Sequence, residues 1–193
     1  MIPRLIYDPE VMQAVADHAR AEGVPENVAA ETARRYAREI VPRFSASVYF
    51  GPAVRLARWL SEALYTIEVD GGRETALQGI DPDATVVFVM NHRSNMDYVL
   101  VTYLVAEKSA LSYAVGEWAR VWPLSALIRA MGAYFIRRRA RTALYRRVLA
   151  RYVQMATAGG VTQAVFPEGG LSLSGRIEKP KLGLLSYLID GFD

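Results

Sequence analysis

The segment Ala84–Met90 constrains the fold more than any other part of the chain, because apart from Thr85 it is apolar and it is rich in β-branched residues. Such a run is typical of a strand covered on both faces, as in the parallel sheets of α/β proteins. In those sheets, ligands bind beyond the carboxyl ends of the strands. The residues after Met90 are therefore the first candidates for a functional site.

Short apolar runs of the same kind alternate with segments of helical character along the rest of the chain. This alternation predicts an α/β fold, with helices flanking a sheet. The predicted strands lie within Leu64–Val69, Ala84–Met90, Leu111–Val115, Gly132–Ile136 and Val161–Phe166.

The first third of the chain has a different character and is rich in Ala, Arg and Glu from Asp8 to about Arg43. Asp8 is suited to cap a helix and Pro9 to open it, and Gly23–Glu26 divides the segment into two helices. We therefore predict a helical N-terminal region over residues 1–63 and an α/β domain over residues 64–193.

The apolar stretch Leu182–Ile189 is predicted to be a helix, and no closing strand follows it. We therefore expect the α/β domain to be incomplete at its C-terminal side. The stretch Phe44–Leu64, in which Arg55 and Arg58 alternate with aromatic residues, has the spacing of an amphipathic helix. It packs onto the next domain or contacts a membrane, and the sequence leaves both interpretations open.

Composition excludes several classes of protein. The 193 residues include no Cys, which rules out disulfides, thiolate zinc sites and thiol nucleophiles. The N-terminus lacks the apolar core of a signal peptide, and the longest stretch without charge, Tyr152–Pro167, is interrupted by Gly. These features predict a cytoplasmic protein whose contact with a membrane is peripheral.

Basic residues are concentrated in one part of the chain. The net charge is only +3, but seven arginines lie between Arg137 and Arg151. The helix predicted there is a surface helix, or it binds anionic lipid or an acidic carrier protein. No nucleic-acid-binding motif accompanies the basic residues, so we expect no nucleic-acid partner.

His92 and Asp97 directly follow the apolar run Ala84–Met90. Five residues apart, they would point about 140° away from each other on a continuous helix, so they meet only if a turn lies between them. Ser94–Asp97 has the pattern of a capping box that opens a helix over Tyr98–Lys108. Asp97 is then a capping residue, the carboxylate that orients a basic His92, or both.

Two further segments place polar residues at predicted strand ends. Phe166–Arg176 contains three glycines, two serines and an arginine, and it suits an anion-binding nest or an ordinary Gly-rich loop. Gly132–Arg139 is an apolar strand that ends in consecutive arginines, whose forked guanidinium groups suit phosphate or carboxylate.

In this order and at these intervals, the segments resemble the glycerol-3-phosphate acyltransferase branch of the glycerolipid (lysophospholipid) acyltransferase family. The matching motifs are His92 with Asp97, Gly132–Arg138, Glu168–Arg176 and Pro180–Gly183. The similarity covers the chain from about Tyr65 onward. It implies an acyltransferase-type mixed sheet with flanking helices.

The resemblance also implies a chemistry, in which a fatty acyl group moves from acyl-CoA or acyl carrier protein to the hydroxyl of glycerol 3-phosphate in phospholipid synthesis. His92 is expected to be the general base and Asp97 to orient it. No metal or cofactor is implied, and the expected place of action is the inner face of the cell membrane. The residues expected to shape the acceptor site are Arg137, Arg138, Glu168, Gly169, Gly170 and Arg176.

The sequence departs from the family pattern after the Glu168–Gly170 segment, where Leu171 and Leu173 stand in place of basic residues. Two alternatives therefore stay open. One is an acyltransferase for lysophosphatidate or another lipid alcohol, and the other is a non-catalytic, membrane-associated lipid-binding protein of the same fold.

Overall fold

The computed structural model describes residues 1–67, 79–81, 83–105, 110–116, 124–137, 142–172 and 174–192. Within these ranges, no helix combines the length and the apolar character needed to cross a membrane.

Helices form the N-terminal part, as predicted. They are α1 (Ile2–Ile6), α2 (Pro9–Glu22) and α3 (Glu26–Ile40). The Asp8 carboxylate accepts a hydrogen bond from the Glu10 N–H at 3.0 Å and so caps α2. Gly23 ends this helix in the left-handed region, with φ of 63°, which a residue with a Cβ rarely adopts.

A helical turn at Ala46–Val48 and a π-helical turn at Tyr49–Ala53 lead into α4 (Val54–Leu64). The strand predicted within Leu64–Val69 is therefore wrong for its first residues, because Leu64 still belongs to α4 and residues 65–67 form no strand. Residues 68 and 69 lie outside the described part of the chain. Arg55, Arg58 and Trp59 of the predicted amphipathic stretch Phe44–Leu64 lie on α4.

The sheet has four strands, in the order β1-β4-β2-β3, and every described pair is parallel. The strands are β1 (Val87–Val89), β2 (Ser112–Val115), β3 (Tyr134–Phe135) and β4 (Gln163–Val165). The α/β class is confirmed. Where a mixed sheet was expected, the described strands run in one direction, because a helix returns the chain to the same end of the sheet each time.

The returning helices are α5 (Met96–Val105) after β1, α6 (Leu124–Ala130) after β2 and α7 (Ala143–Ala158) after β3. A further helix, α8 (Gly183–Ile189), follows β4. Helix α5 begins two residues before the predicted start at Tyr98, and the predicted end at Lys108 lies outside the described residues.

The side chains of the strands alternate between two apolar clusters, as the period of two in a strand requires. The cluster on the helical N-terminal side, with α1–α3, α7 and α8, includes Val87, Ala114, Tyr134 and Val165. The cluster on the opposite face, with α5 and α6, includes Phe88, Tyr113, Phe135 and Ala164. Residues 2–41 and one face of the sheet thus share one core, and the division at residue 64 stays a prediction.

Ion pairs join the N-terminal helices to α7. Arg151 binds Asp8 through Nε and Nη2, at 3.0 and 2.7 Å, and Arg147 binds Glu10 at 2.6 Å. Part of the basic cluster predicted from the sequence is therefore neutralised within the fold by the carboxylates of Asp8 and Glu10 at the start of α2.

Candidate active site at the carboxyl edge of the sheet

The carboxyl ends of the four strands meet around one cavity of about 420 Å³. Each strand contributes the residues that directly follow it. Those lining the cavity are His92 after β1, Gly116 after β2, Ile136 and Arg137 after β3, and Phe166, Pro167 and Gly169 after β4. The cavity therefore lies where parallel sheets bind their ligands.

His92 and Asp97 are in contact, as the turn between them predicts. The distance from Nδ1 of His92 to Oδ2 of Asp97 is 3.0 Å. An ionised carboxylate only accepts hydrogen bonds, so Nδ1 carries the proton and Nε2 is left as the basic nitrogen. This is the arrangement in which a carboxylate fixes the tautomer of a catalytic histidine.

The same oxygen of Asp97 also closes the turn. It accepts the backbone N–H groups of Arg93 and Ser94, at 2.7 and 2.9 Å. Ser94 in turn accepts the N–H of Met96 through Oγ at 3.1 Å, which completes a capping box at the start of α5. Asp97 therefore both caps a helix and faces the imidazole, so the two predicted roles are compatible in one side chain.

The imidazole of His92 is only 3% exposed and packs among aromatic rings. Its centroid lies 4.5 Å from that of Phe166 and 5.0 Å from that of Tyr98. These contacts limit rotation of the ring, so the imidazole is held in place at the cavity wall before a ligand arrives.

Glu168 contacts the backbone of the loop that carries His92. The side chain is buried, and Oε1 accepts the backbone N–H of His92 at 3.4 Å. The backbone N–H of Ser172 donates to the His92 carbonyl at 2.8 Å, so the loops after β1 and β4 are tied together. Glu168 does not line the cavity. Oε2 of this buried carboxylate has no hydrogen-bond partner among the described residues.

The glycines of this loop differ in position. Gly169 lines the cavity with φ of 65°, a conformation that favours glycine, whereas half-buried Gly170 does not line it. Arg176 lies on an exposed part of the loop and is absent from the cavity wall. Of Gly169, Gly170 and Arg176, only Gly169 therefore lines the cavity that contains His92.

Arg137 reaches the cavity but is already bound to a carboxylate. Nε and Nη2 form a two-pronged contact with Glu39 of α3, at 2.7 and 2.6 Å. The hydrogen bonds to Glu39 raise the pKa of Arg137 above its already high ordinary value, with burial acting in the opposite sense. Arg138, the other predicted arginine, lies outside the described residues.

Lys181 lines the same cavity, although no role was predicted for it. The sequence signal that could have identified Lys181 as a site residue is its place in Pro180–Gly183, one of the four motifs of the resemblance. The contact itself depends on the loop after β4 folding back, where the Lys181 N–H donates to the Pro167 carbonyl at 2.8 Å.

A second cavity, of about 380 Å³, lies on the opposite face of the sheet and is predominantly apolar. Its walls come from α4, α5, β2 and α6, and they include Leu56, Leu60, Val99, Val115 and Ile128. Tyr98 lines both cavities, so the two spaces approach each other beside His92.

Comparison with known proteins agrees with this geometry. A family model described as Acyltransferase matches residues 54–191. A relative from Actinobacillus succinogenes, named glycerol-3-phosphate acyltransferase, is 34% identical over 98% of this chain and 24% of its own length. Relatives of the same name from Pasteurella multocida and Shewanella amazonensis are each 33% identical over the same shares. The chain thus spans about a quarter of the length of these relatives.

Proposed function

The chain belongs to the acyltransferase family, and within it we propose that the protein transfers a fatty acyl group from an acyl thioester to the hydroxyl of glycerol 3-phosphate. The contact between His92 and Asp97 at the wall of a cavity carries this proposal. The relatives named glycerol-3-phosphate acyltransferase, which align with nearly the whole chain, support the choice of acceptor.

The proposed reaction uses Nε2 of His92 as the general base. This nitrogen takes the hydroxyl proton of the acceptor while the hydroxyl oxygen attacks the thioester carbonyl carbon. Asp97 stabilises the imidazolium that forms. The tetrahedral intermediate then collapses as the C–S bond breaks, and the leaving thiolate takes the proton from Nε2. The products are an ester and a free thiol.

The two cavities suit the two substrates of such a reaction. The cavity that Lys181 lines, beside the Glu39-bound Arg137, offers positive charge to a phosphorylated acceptor. The apolar cavity beyond Tyr98 suits a fatty acyl chain, because it removes methylene groups from water. Both acyl-CoA and acyl carrier protein present such a chain as a thioester, and either is an acceptable donor.

The surface of α4 and the turn before it suits contact with a membrane. Phe50, Trp59 and Tyr65 are exposed, and Arg55 and Arg58 are on the same helical segment. Exposed aromatic rings beside arginines are typical of proteins that lie on anionic bilayers. We place the proposed reaction at the cytoplasmic face of the cell membrane, where its lipid product belongs.

The test is transfer of labelled palmitate from palmitoyl-CoA to glycerol 3-phosphate by the purified protein. We expect His92→Ala to lower kcat by about 10²–10⁴-fold, because the general base is lost. Asp97→Asn is expected to lower kcat while the protein stays folded. His18→Ala is the matched control, since His18 lies on α2 away from the cavity, and it should retain full activity.

Equal product from wild type and His92→Ala would contradict the assigned base. A second candidate acceptor, lysophosphatidate or another lipid alcohol, is favoured by the exposed Leu171 in the loop that carries Gly169. Transfer to lysophosphatidate but not to glycerol 3-phosphate would select that acceptor. Binding of lipid without transfer to any acceptor would instead indicate a lipid-binding protein.

A further inference from the structure

The side chain of Lys181 rests against Gly169 at the wall of the cavity that contains His92. A Cβ placed on Gly169 would lie 3.1 Å from Cδ of Lys181 and 3.5 Å from Nζ. The absence of a side chain at residue 169 therefore leaves the space that the lysine stem occupies. The backbone of Lys181 is fixed by its hydrogen bond to Pro167.

The cations near this cavity differ in what they already bind. Arg137 is engaged by both carboxylate oxygens of Glu39. Within the described part of the chain, the ammonium group of Lys181 forms neither an ion pair nor a hydrogen bond, and its side chain is exposed to solvent. An anion entering the cavity meets an ammonium group that needs no carboxylate to be displaced first.

Among the described residues that follow β4 and line the cavity, Lys181 is the one with a charged side chain. Leu171 occupies a position where a basic residue was expected, and Arg176 lies outside the cavity wall. A lysine ammonium is a compact charge with three donors, which suits a phosphate group. Lys181 thus supplies the positive charge that Leu171 lacks, from a position that follows the loop in the chain.

We propose that Lys181 binds the phosphate of the acceptor and so determines the preference for a phosphorylated alcohol. The proposal rests on the function proposed above and adds a substrate-binding residue to it. Because the contact is made equally before and during the acyl transfer, it affects binding of the acceptor more than the chemical step.

The experiment compares Lys181→Met, which keeps the apolar stem without the charge, with Lys179→Met as the matched control. Lys179 is also exposed, lies two residues away and does not line the cavity. Lys181→Met should raise KM for glycerol 3-phosphate by about 10-fold to 100-fold, the scale of a lost charged hydrogen bond. The KM for palmitoyl-CoA and kcat should stay near wild type, and Lys181→Arg should recover part of the loss.

Two outcomes would overturn the proposal. Lys181→Met could have the same KM for glycerol 3-phosphate as Lys179→Met, which would place the phosphate elsewhere. Alternatively, it could raise KM for palmitoyl-CoA alone, which would assign the lysine to a phosphate of the donor.

Calorimetry with inorganic phosphate separates this proposal from the proposed function. If the wild-type protein transfers no acyl group, the function fails, while weaker phosphate binding by Lys181→Met than by Lys179→Met still supports an anion site at Lys181. Equal phosphate binding by the two variants would overturn the anion site whether or not the protein is active.

Discussion

On one face of the sheet, here called the sealed face, α1–α3 and α7 cover the strands with buried apolar side chains and ion pairs between helices, and the cavity of His92 lies at the strand ends. On the other face, here called the open face, α4–α6 leave an apolar cavity of about 380 Å³. The sealed face includes Glu39 of α3, which binds Arg137. The open face offers space that a ligand can fill. Tyr98 lines both cavities and packs against His92, so the two spaces adjoin at the general base proposed above.

The largest effect on stability is expected where Glu39 of α3 binds Arg137, which follows β3. Glu39 is 8% exposed and its partner Arg137 is 37% exposed. Glu39→Ala should lower the free energy of unfolding by about 1–3 kcal/mol, less than a fully buried pair because the arginine is partly solvated. Urea denaturation measures this loss.

The matched control for Glu39 is Glu31→Ala on the same helix. Glu31 pairs with Arg34 and Arg38 on the exposed surface, so its removal should cost no more than about 0.5 kcal/mol. Equal losses for the two variants would show that the sealed face does not depend on the ion pair between Glu39 and Arg137.

Filling the open face should change the choice of acyl donor. Leu60→Trp inserts a large ring into the apolar cavity, and it should raise KM for palmitoyl-CoA by about tenfold while a short-chain thioester is affected less, since each buried methylene contributes about 0.8 kcal/mol. Leu64→Trp is the control, because Leu64 is exposed at the end of the same helix. An unchanged dependence on chain length would separate this cavity from the acyl chain.

The sealed face should also respond to acid through Asp8. Burial raises the pKa of Asp8, but the hydrogen bond and charge of Arg151 and the N–H groups of Glu10 and Val11 outweigh it, so the pKa lies below its ordinary value of 3.8. The ionised carboxylate therefore stabilises the fold above that ordinary value, and the stabilisation is lost as pH falls through the lower folded pKa.

Asp8→Asn keeps a capping side chain and removes the charge. It should lower the free energy of unfolding at pH 7 by about 1 kcal/mol, and the difference from wild type should shrink below about pH 4. Thermal unfolding at a series of pH values measures this. Asp17→Asn, in an exposed pair with Arg20, should differ little from wild type throughout. A difference for Asp8→Asn that persists in acid would exclude the charge as its cause.

The smallest effect is expected at the surface of the open face. Trp59→Ala should weaken sedimentation with anionic vesicles by a few-fold, because one exposed aromatic ring contributes only part of the contact. Tyr7→Ala removes an equally exposed ring beside the sealed face and should leave binding unchanged. If the two variants bind alike, the membrane contact does not lie on α4.

The features that the sequence determined by itself are local ones. Composition, the Asp8–Pro9 start and the Gly23 break located α2 and α3, and short apolar runs located four of the strands. The spacing of Ser94, Asp97 and His92 predicted a turn with a capping box in which Asp97 can also meet the histidine. Each of these depends on residues a few positions apart, whose geometry the backbone limits to a few choices. The predicted strand at Leu64 failed because the same short apolar pattern also fits the last turn of a helix.

The tertiary structure alone decided which distant residues meet. Strand β4 enters between β1 and β2, and this order places Gly169 and Lys181 beside His92. Arg137 binds Glu39 across 98 positions of sequence, which links this predicted acceptor-site residue to the N-terminal helices. No local period encodes such pairings, because they arise when whole elements dock and bury their apolar faces together.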